Sequence, residues 1–270
     1  MRLHPPRIGA GPAATRAPGG TAGPAIAIRD VTKTYADGRS ATKALEGLTL
    51  DVAPGEFVCI LGASGCGKST LLNLIAGIYR TSAGTIDVAG RRIALMFQEP
   101  ALFPWLTVQH NVEMGMRFRR SVTKERRREE ARRLLRLMHL EEWASRRPHE
   151  LSGGMRQRVA LARALAQEAE ILLMDEPFGS LDAITRDLLH EEIERIWLEN
   201  RLTIVFVTHN VREAVRLGDR VVLLSSRPGR LATQFPVGLG RPRRLEDAAL
   251  GGIAAEISAR LHEEVRRHGR

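Results

Sequence analysis

GASGCGKS, residues 62–69, is the stretch from which the architecture of this chain can be read. It carries the pattern G-x-x-x-x-G-K-[ST]. Glycines at such spacing let backbone N–H groups turn inward around phosphate oxygens, the lysine reaches the β- and γ-phosphates, and the hydroxyl serves magnesium. Glu56 to Leu61 ahead of it reads as a buried strand, and Leu71, Leu72, Leu74, Ile75 and Ile78 behind it have helical spacing. An anion held at this junction sits on a helix N-terminus, where unpaired N–H groups and the helix dipole both favour negative charge.

Working outward toward the N-terminus, Ile26 and Ile28 alternate, Val31 follows, and Tyr35 leads into the turn Ala36-Asp37-Gly38. Leu45, Leu48, Leu50 and Val52 form a second alternating run, closed by Pro54-Gly55. These runs predict antiparallel strands flanking a nucleotide. Tyr35 reads either as a plain strand aromatic or as a stacking face for adenine, since an aromatic ring offers a base a π-contact. Residues 1–24 are rich in Pro, Gly and Ala without hydrophobic period, which predicts a disordered tail.

Toward the C-terminus, Thr81 to Gly84 reads as a turn, and strands are expected at Thr85–Val88 and Ile93–Phe97, the second ending in Gln98. The following loop carries Phe103, Pro104 and Trp105, either as an ordinary hydrophobic connector or as a docking surface for another protein. Helices are expected at Thr107–Arg119 and Thr123–Leu140. The charge run from Lys124 to Arg136 interleaves Arg with Glu and reads as a solvated helix face. Ser152 is placed to cap a helix that runs to Gln167, and Gly153-Gly154 bare a second set of N–H groups at a helix start.

Ile171 to Met174 is a continuous apolar strand of the parallel-sheet kind, and Asp175 and Glu176 stand at its C-terminal end, where open α/β sheets place ligands. A helix at Ala183–Glu199, a strand at Thr203–Val207 ending in Thr208-His209, a helix at Val211–Leu217 and a strand at Val221–Leu224 follow. This alternation predicts an α/β fold with a parallel sheet and crossover helices. Pro236–Pro242 reads as a linker, and Leu245 to His268 as a charged terminal helix.

Composition narrows the function classes. The 270 residues are 43% hydrophobic, enough for a core, and carry a formal charge of +10. That charge comes almost wholly from arginine and reads as a nucleic-acid or anionic-membrane contact or as a solvated face; dispersal among glutamates favours the last, and no nucleic-acid partner is expected. Two cysteines, Cys59 and Cys66, suggest neither a disulfide framework nor a zinc site. No apolar run approaches the roughly 18 residues that span a bilayer, so a membrane connection is expected to run through a partner.

Taken together, the motifs resemble the ATP-binding subunits of ABC transporters over about Ala25 to Val237. Tyr35 matches the adenine-stacking position, GASGCGKS the Walker A loop, Gln98 the Q-loop, LSGGM at 151–155 the signature, ILLMDEP at 171–177 the Walker B strand, SLD at 180–182 the D-loop, and His209 the switch histidine. FQEPALFPWLTVQHNV and VTHNVREAVRLGDRVVLLSSRPGRL look like the branch serving nitrate, sulfonate and taurine import. The chain departs from that pattern at Asn210, where an acidic residue is common, and in a shorter stretch from Gly90 to Phe97.

The resemblance implies a P-loop NTPase, ABC-type ATPase core at 25–238. It carries an antiparallel β subdomain and an inserted helical subdomain at about 99–168, followed by a linker and helix at 239–270. It implies ATP and Mg²⁺ as cofactors, with ATP at Tyr35, Gly62, Ala63, Ser64, Gly65, Cys66, Gly67, Lys68, Ser69 and Thr70. In a head-to-tail homodimer, Ser152, Gly153, Gly154 and Asp182 would approach the same nucleotide from the second copy. Ser69, Gln98 and Asp175 are the implied metal residues; Glu176 is the implied general base, with Gln98 and His209 as catalytic partners. The implied partners are an integral-membrane permease and, through it, an extracytoplasmic solute-binding protein, which puts the chain at the cytoplasmic face of the inner membrane. Two competing readings are a soluble ABC ATPase acting on ribosomes or nucleic acid and a non-hydrolysing regulatory module. The first usually brings a second cassette or inserted modules, and the second leaves catalytic positions unfilled.

Overall fold

Four apolar runs make the middle of the larger sheet because each alternates its side chains between two faces that are both covered. A computed structural model describes residues 23–37, 40–117, 122–179, 181–243 and 247–268. In chain order it contains β1 (Ile26–Asp37), β2 (Ser40–Val52), β3 (Phe57–Leu61), α1 (Lys68–Ile75), β4 (Ala83–Asp87), β5 (Ile93–Met96), α2 (Val108–Met114), α3 (Lys124–Leu137) and α4 (Gly153–Leu165). Then come β6 (Ile171–Asp175), α5 (Ala183–Asn200), β7 (Thr203–Val207), α6 (Val211–Leu217), β8 (Arg220–Leu224), β9 (Leu231–Pro236) and α7 (Ala248–His268).

The larger sheet has the order β5-β6-β7-β3-β8-β9, parallel throughout except for β9, which runs antiparallel to β8. The smaller sheet, β2-β1-β4, is antiparallel. In β3, Phe57, Cys59 and Leu61 point to one face, where they pack with Val112 of α2, Leu135 of α3, Leu161 of α4 and Ile193 of α5. Val58 and Ile60 point to the other, where they meet Leu71 and Leu72 of α1 together with Ile28 and Leu50 of the small sheet. This is the two-residue period of a strand buried on both sides. Full burial of each such side chain contributes about 1.5–3 kcal/mol, which outweighs the weak intrinsic preference of any single strand residue. One consequence bears on the site: α1, which begins in GASGCGKS, lies between the two sheets and is fixed from both sides.

Several elements differ from the sequence expectation. The second expected helix begins with Thr107 as its cap and ends at Met114, because Gly115 follows as its C-cap; the expected end at Arg119 lies outside the described residues. Thr123 caps α3, which stops at Leu137 because His139 takes a positive φ of 54°. The sequence reading contains no strand at Leu231–Pro236, yet β9 forms there by pairing with β8.

The stretch expected to be a linker is fastened instead. Val237 is buried, Arg241 pairs with Glu194 at 2.6 Å and Asp219 at 2.9 Å, and Arg243 donates to the carbonyls of Val215, Gly218 and Val237. Burial pulls the Arg243 guanidinium down to about 10. Those carbonyls would otherwise be left unpaired inside the molecule, which explains why a charged side chain sits there. α7 packs on α6, burying Leu250, Ala254 and Ile257 at i, i+4 and i+7. The disordered-tail expectation falls almost wholly on residues 1–22, outside the described residues. Among the described residues, no helix is long and apolar enough to cross a membrane.

Candidate functional site

β3, β7 and β6 lie side by side and end on the same edge of the sheet, so three segments meet there: the loop 62–67 after β3, Asp175-Glu176 at the end of β6, and Thr208-His209 after β7. Gly67 caps α1 at φ 99°, a conformation that favours glycine, and a Cβ there would lie 2.8 Å from the Ala44 carbonyl oxygen. Gly67 offers no side chain to cap α1, which leaves first-turn N–H groups for an anion. Lys68 is buried, and its Nζ donates to the carbonyls of Gly62 at 2.8 Å and Ala63 at 3.0 Å, so the loop curls round its own cation. The Cys66 thiol is pushed up by burial, with Lys68 opposing, which keeps it protonated and unreactive.

Asp175 is a perturbed carboxyl at the end of β6. Burial raises its pKa first; a hydrogen bond from Ser69 opposes the rise, the neighbouring Glu176 charge adds to it, and Lys68 opposes it again. Its Oδ1 is buried without a hydrogen-bond partner. A buried carboxylate oxygen with no donor, next to a serine hydroxyl, is an oxygen donor set suited to a small hard cation. Mg²⁺ takes few protein ligands and completes its shell with phosphate and water. That agrees with the lack of any cluster of three or more His, Cys, Asp or Glu among the described residues that could hold a metal by itself.

Glu176 follows with φ 43°, a left-handed conformation that costs a non-glycine residue about 1–3 kcal/mol and tends to occur where function requires it. Its N–H donates to Val207 O at 2.9 Å, and its Oε2 lies 3.0 Å from Nδ1 of His209. Gln98 is exposed just past β5; the buried Gln157 of α4 donates to its carbonyl at 2.8 Å. The ring of Tyr35 stands edge-on to Tyr79 with centroids 6.0 Å apart, while Lys33 Nζ lies 5.0 Å from its centroid and its hydroxyl reaches Thr70 Oγ1 at 3.4 Å.

Ser152 caps α4 by accepting from Met155 N, and Asp182 caps α5 by accepting from Thr185 N at 2.9 Å. These two helix starts adjoin each other: a Cβ on Gly154 would lie 3.2 Å from Leu181 and 3.5 Å from Thr185. The first residue of the SLD motif, Ser180, lies outside the described residues. The geometry thus gathers Lys68, Ser69, Asp175, Glu176 and His209, while Ser152 and Asp182 each cap their own helix and Gly154 joins the two starts.

Sequence reading missed the side chains that hold this arrangement. Asn111, fully buried, accepts from Phe103 N at 2.8 Å and donates to Phe103 O, so the 103–107 loop holds Trp105 outward at 69% exposure. Arg163 of α4 donates to the carbonyls of Pro100 and Ala101, which ties this loop to the same helix that binds Gln98. Behind His209, Thr208 Oγ1 donates to Glu213 Oε2, and the other oxygen of Glu213 meets Nε2 of buried His190 at 2.7 Å. His190 in turn stacks edge-on against Phe178, two residues beyond Glu176. None of these positions carries a local signal, because a buried polar group in a helix looks in sequence like any solvated one.

This network is expected to carry a large share of local stability. Glu213→Ala leaves both Thr208 and His190 buried without their partner and should lower the unfolding free energy by about 3 kcal/mol. Urea denaturation of the two proteins checks it, and a loss under about 1 kcal/mol would mean the network relaxes freely.

Residues 45–179 match the sequence family described as "ABC transporter". The nitrate import ATP-binding protein NrtD of Synechocystis is 43% identical over 221 residues, 79% of this chain and 83% of the relative. The taurine import ATP-binding protein TauB of Rhizobium johnstonii is 44% identical over 230 residues, 83% of this chain and 87% of the relative. Among solved structures, a dimeric post-hydrolysis state of the ATP-binding cassette MJ0796 bound to ADP and Pi superposes with a TM-score of 0.73 at 33% identity. It covers 78% of this chain and 98% of that one.

Proposed function

Because the chain belongs to the ABC transporter family of ATP-binding proteins, we propose that it is the ATP-hydrolysing subunit of a membrane importer of the nitrate, sulfonate and taurine type. The observation that carries the reading is the 3.0 Å contact of Glu176 with His209 beside Asp175, whose buried Oδ1 lacks a partner. Phosphoryl transfer to water needs positioning and charge stabilisation more than covalent chemistry, and this edge of the sheet supplies both.

Lys68 and the N–H groups of 62–69 hold the β- and γ-phosphates, with Tyr35 beside the adenine. Ser69 and Asp175 would offer oxygen ligands to Mg²⁺, and Gln98 is the third residue assigned to it. When bound, Mg²⁺ offsets charge on the phosphate oxygens. Glu176 takes the proton of the attacking water, and His209 orients its carboxylate and reaches the γ-phosphate. Ser152, Gly153, Gly154 and Asp182 serve the nucleotide of a second copy in a head-to-tail dimer; the adjoining starts of α4 and α5 support their acting as one surface. The dimeric state of the solved relative agrees with this.

The dimer works at the cytoplasmic face of the inner membrane, on permease subunits that receive solute from an extracytoplasmic binding protein. Exposed Trp105, on its Asn111-braced loop, is the docking point for the permease. Tagged protein purified with ATP from gently solubilised membranes is expected to bring a multi-span permease with it. Trp105→Glu should reduce that recovery by about tenfold or more, while the isolated variant still hydrolyses ATP. Recovery of ribosomal or nucleic-acid-bound material in place of a permease would overturn the importer reading in favour of a soluble ATPase.

A further inference from the structure

The turn between β8 and β9 lies against the phosphate loop from outside. Gly229 packs so closely on the Cys66 carbonyl that a Cβ there would come within 2.1 Å of its oxygen. The turn is secured without help from Arg227. Gly229 N donates to Ala44 O at 2.9 Å, Glu46 N donates to Gly229 O at 3.0 Å, Ser225 Oγ donates to Pro228 O at 3.1 Å, and Arg230 pairs with Glu46. Arg227 itself is exposed, and its Nε donates to Gly65 O at 3.2 Å. Its Nη2 lies over Gly65, 2.9 Å from where a Cβ would stand.

Among the described residues the charge of Arg227 has no counterpart. Arg220 pairs with Glu56, Arg230 with Glu46 and Arg241 with Glu194, whereas no carboxylate among the described residues pairs with Arg227. An uncompensated guanidinium has thus been brought from 162 residues away to the rim of a loop whose N–H groups turn toward an anion. Its one bond to Gly65 leaves further N–H donors free in a fork that matches phosphate oxygens.

We propose that Arg227 is a nucleotide-binding residue, contributed by the β8–β9 turn, whose guanidinium attracts the phosphates of ATP or ADP held by Gly62–Ser69. The inference rests on the ATP-binding reading above and deepens it. The attraction acts on ATP and ADP alike, because it depends on charge near the loop, and it weakens with salt because Arg227 is exposed.

Titration calorimetry of the full chain with MgATP and with ADP tests it on Arg227→Lys, Arg227→Gln and Arg227→Glu. Arg227→Gln is expected to weaken both nucleotides about 3- to 10-fold and Arg227→Glu further, while Arg227→Lys stays within about twofold of wild type. The wild-type salt dependence should be steeper than that of Arg227→Gln. Unchanged melting temperatures without nucleotide are expected, since the other contacts hold the turn. Equal affinities across the series would overturn the proposal. So would retention by Arg227→Gln with loss in Arg227→Lys, which would mean that a hydrogen bond to Gly65 matters and charge does not. Wild-type protein that binds neither nucleotide overturns the ATP reading and this inference together.

Discussion

Glu176→Gln is expected to lower ATP turnover by about 10²–10⁴-fold, the range associated with loss of a positioned general base, while nucleotide affinity is kept. The geometry makes this split specific. Glu176 leaves β6 in a left-handed conformation, anchored by its N–H on Val207 O, and meets His209 through its side chain. Gln has the same size and can still reach His209 Nδ1, so the fold and the phosphate loop are undisturbed, but an amide cannot take a proton from water. The expected signature is a dimer that forms with ATP and persists, visible by size-exclusion chromatography, together with a near-zero rate of phosphate release. Turnover within about tenfold of wild type would remove Glu176 from the role of base.

Asp175→Asn should separate stability from activity. Burial raises the Asp175 pKa above its ordinary value, so the folded chain binds a proton there more tightly than the unfolded chain does. The stability linked to this group is fully present below the ordinary carboxylate pKa. It is lost as pH rises through the raised folded value, and the native carboxylate is a cost at neutral pH. Asn carries no charge to desolvate, so the nucleotide-free variant is expected to melt higher than wild type at neutral pH, and that part of the pH dependence should disappear. Turnover should fall about 10²–10³-fold, because the amide is a poor ligand for Mg²⁺. Thermal melts from pH 4 to 8, paired with phosphate release across a Mg²⁺ titration, read both effects. A variant that melts lower than wild type at pH 7 would mean that Oδ1 has a stabilising partner after all.

Much of the fold is legible because its signals are local. GASGCGKS after an apolar strand is a backbone requirement, and Gly67 at φ 99° against Ala44 states it structurally. Thr203–Val207 and Val211–Leu217 have the same limits in sequence and structure, since each is a short apolar element between clear stops. β9 escaped because an edge strand with half-exposed side chains owes its existence to the pairing of Phe235 with Val221. The supposed linker escaped because Arg241 and Arg243 look solvated until Glu194 and the Val215 and Gly218 carbonyls are seen beside them.

By itself the sequence determined where the phosphate loop starts, which strands are buried on both faces, and which carboxylates stand at a strand end. Each of these depends on residues within one turn or one strand of each other. Tertiary structure alone decided that Glu176 meets His209 across 33 residues, that Asp175 keeps an oxygen without a donor, and that Arg227 reaches Gly65. Such contacts are set by the strand order β6-β7-β3-β8, which brings distant chain ends to one edge. Periodicity fixes which face a side chain takes, and only the packing of whole elements fixes what it finds there.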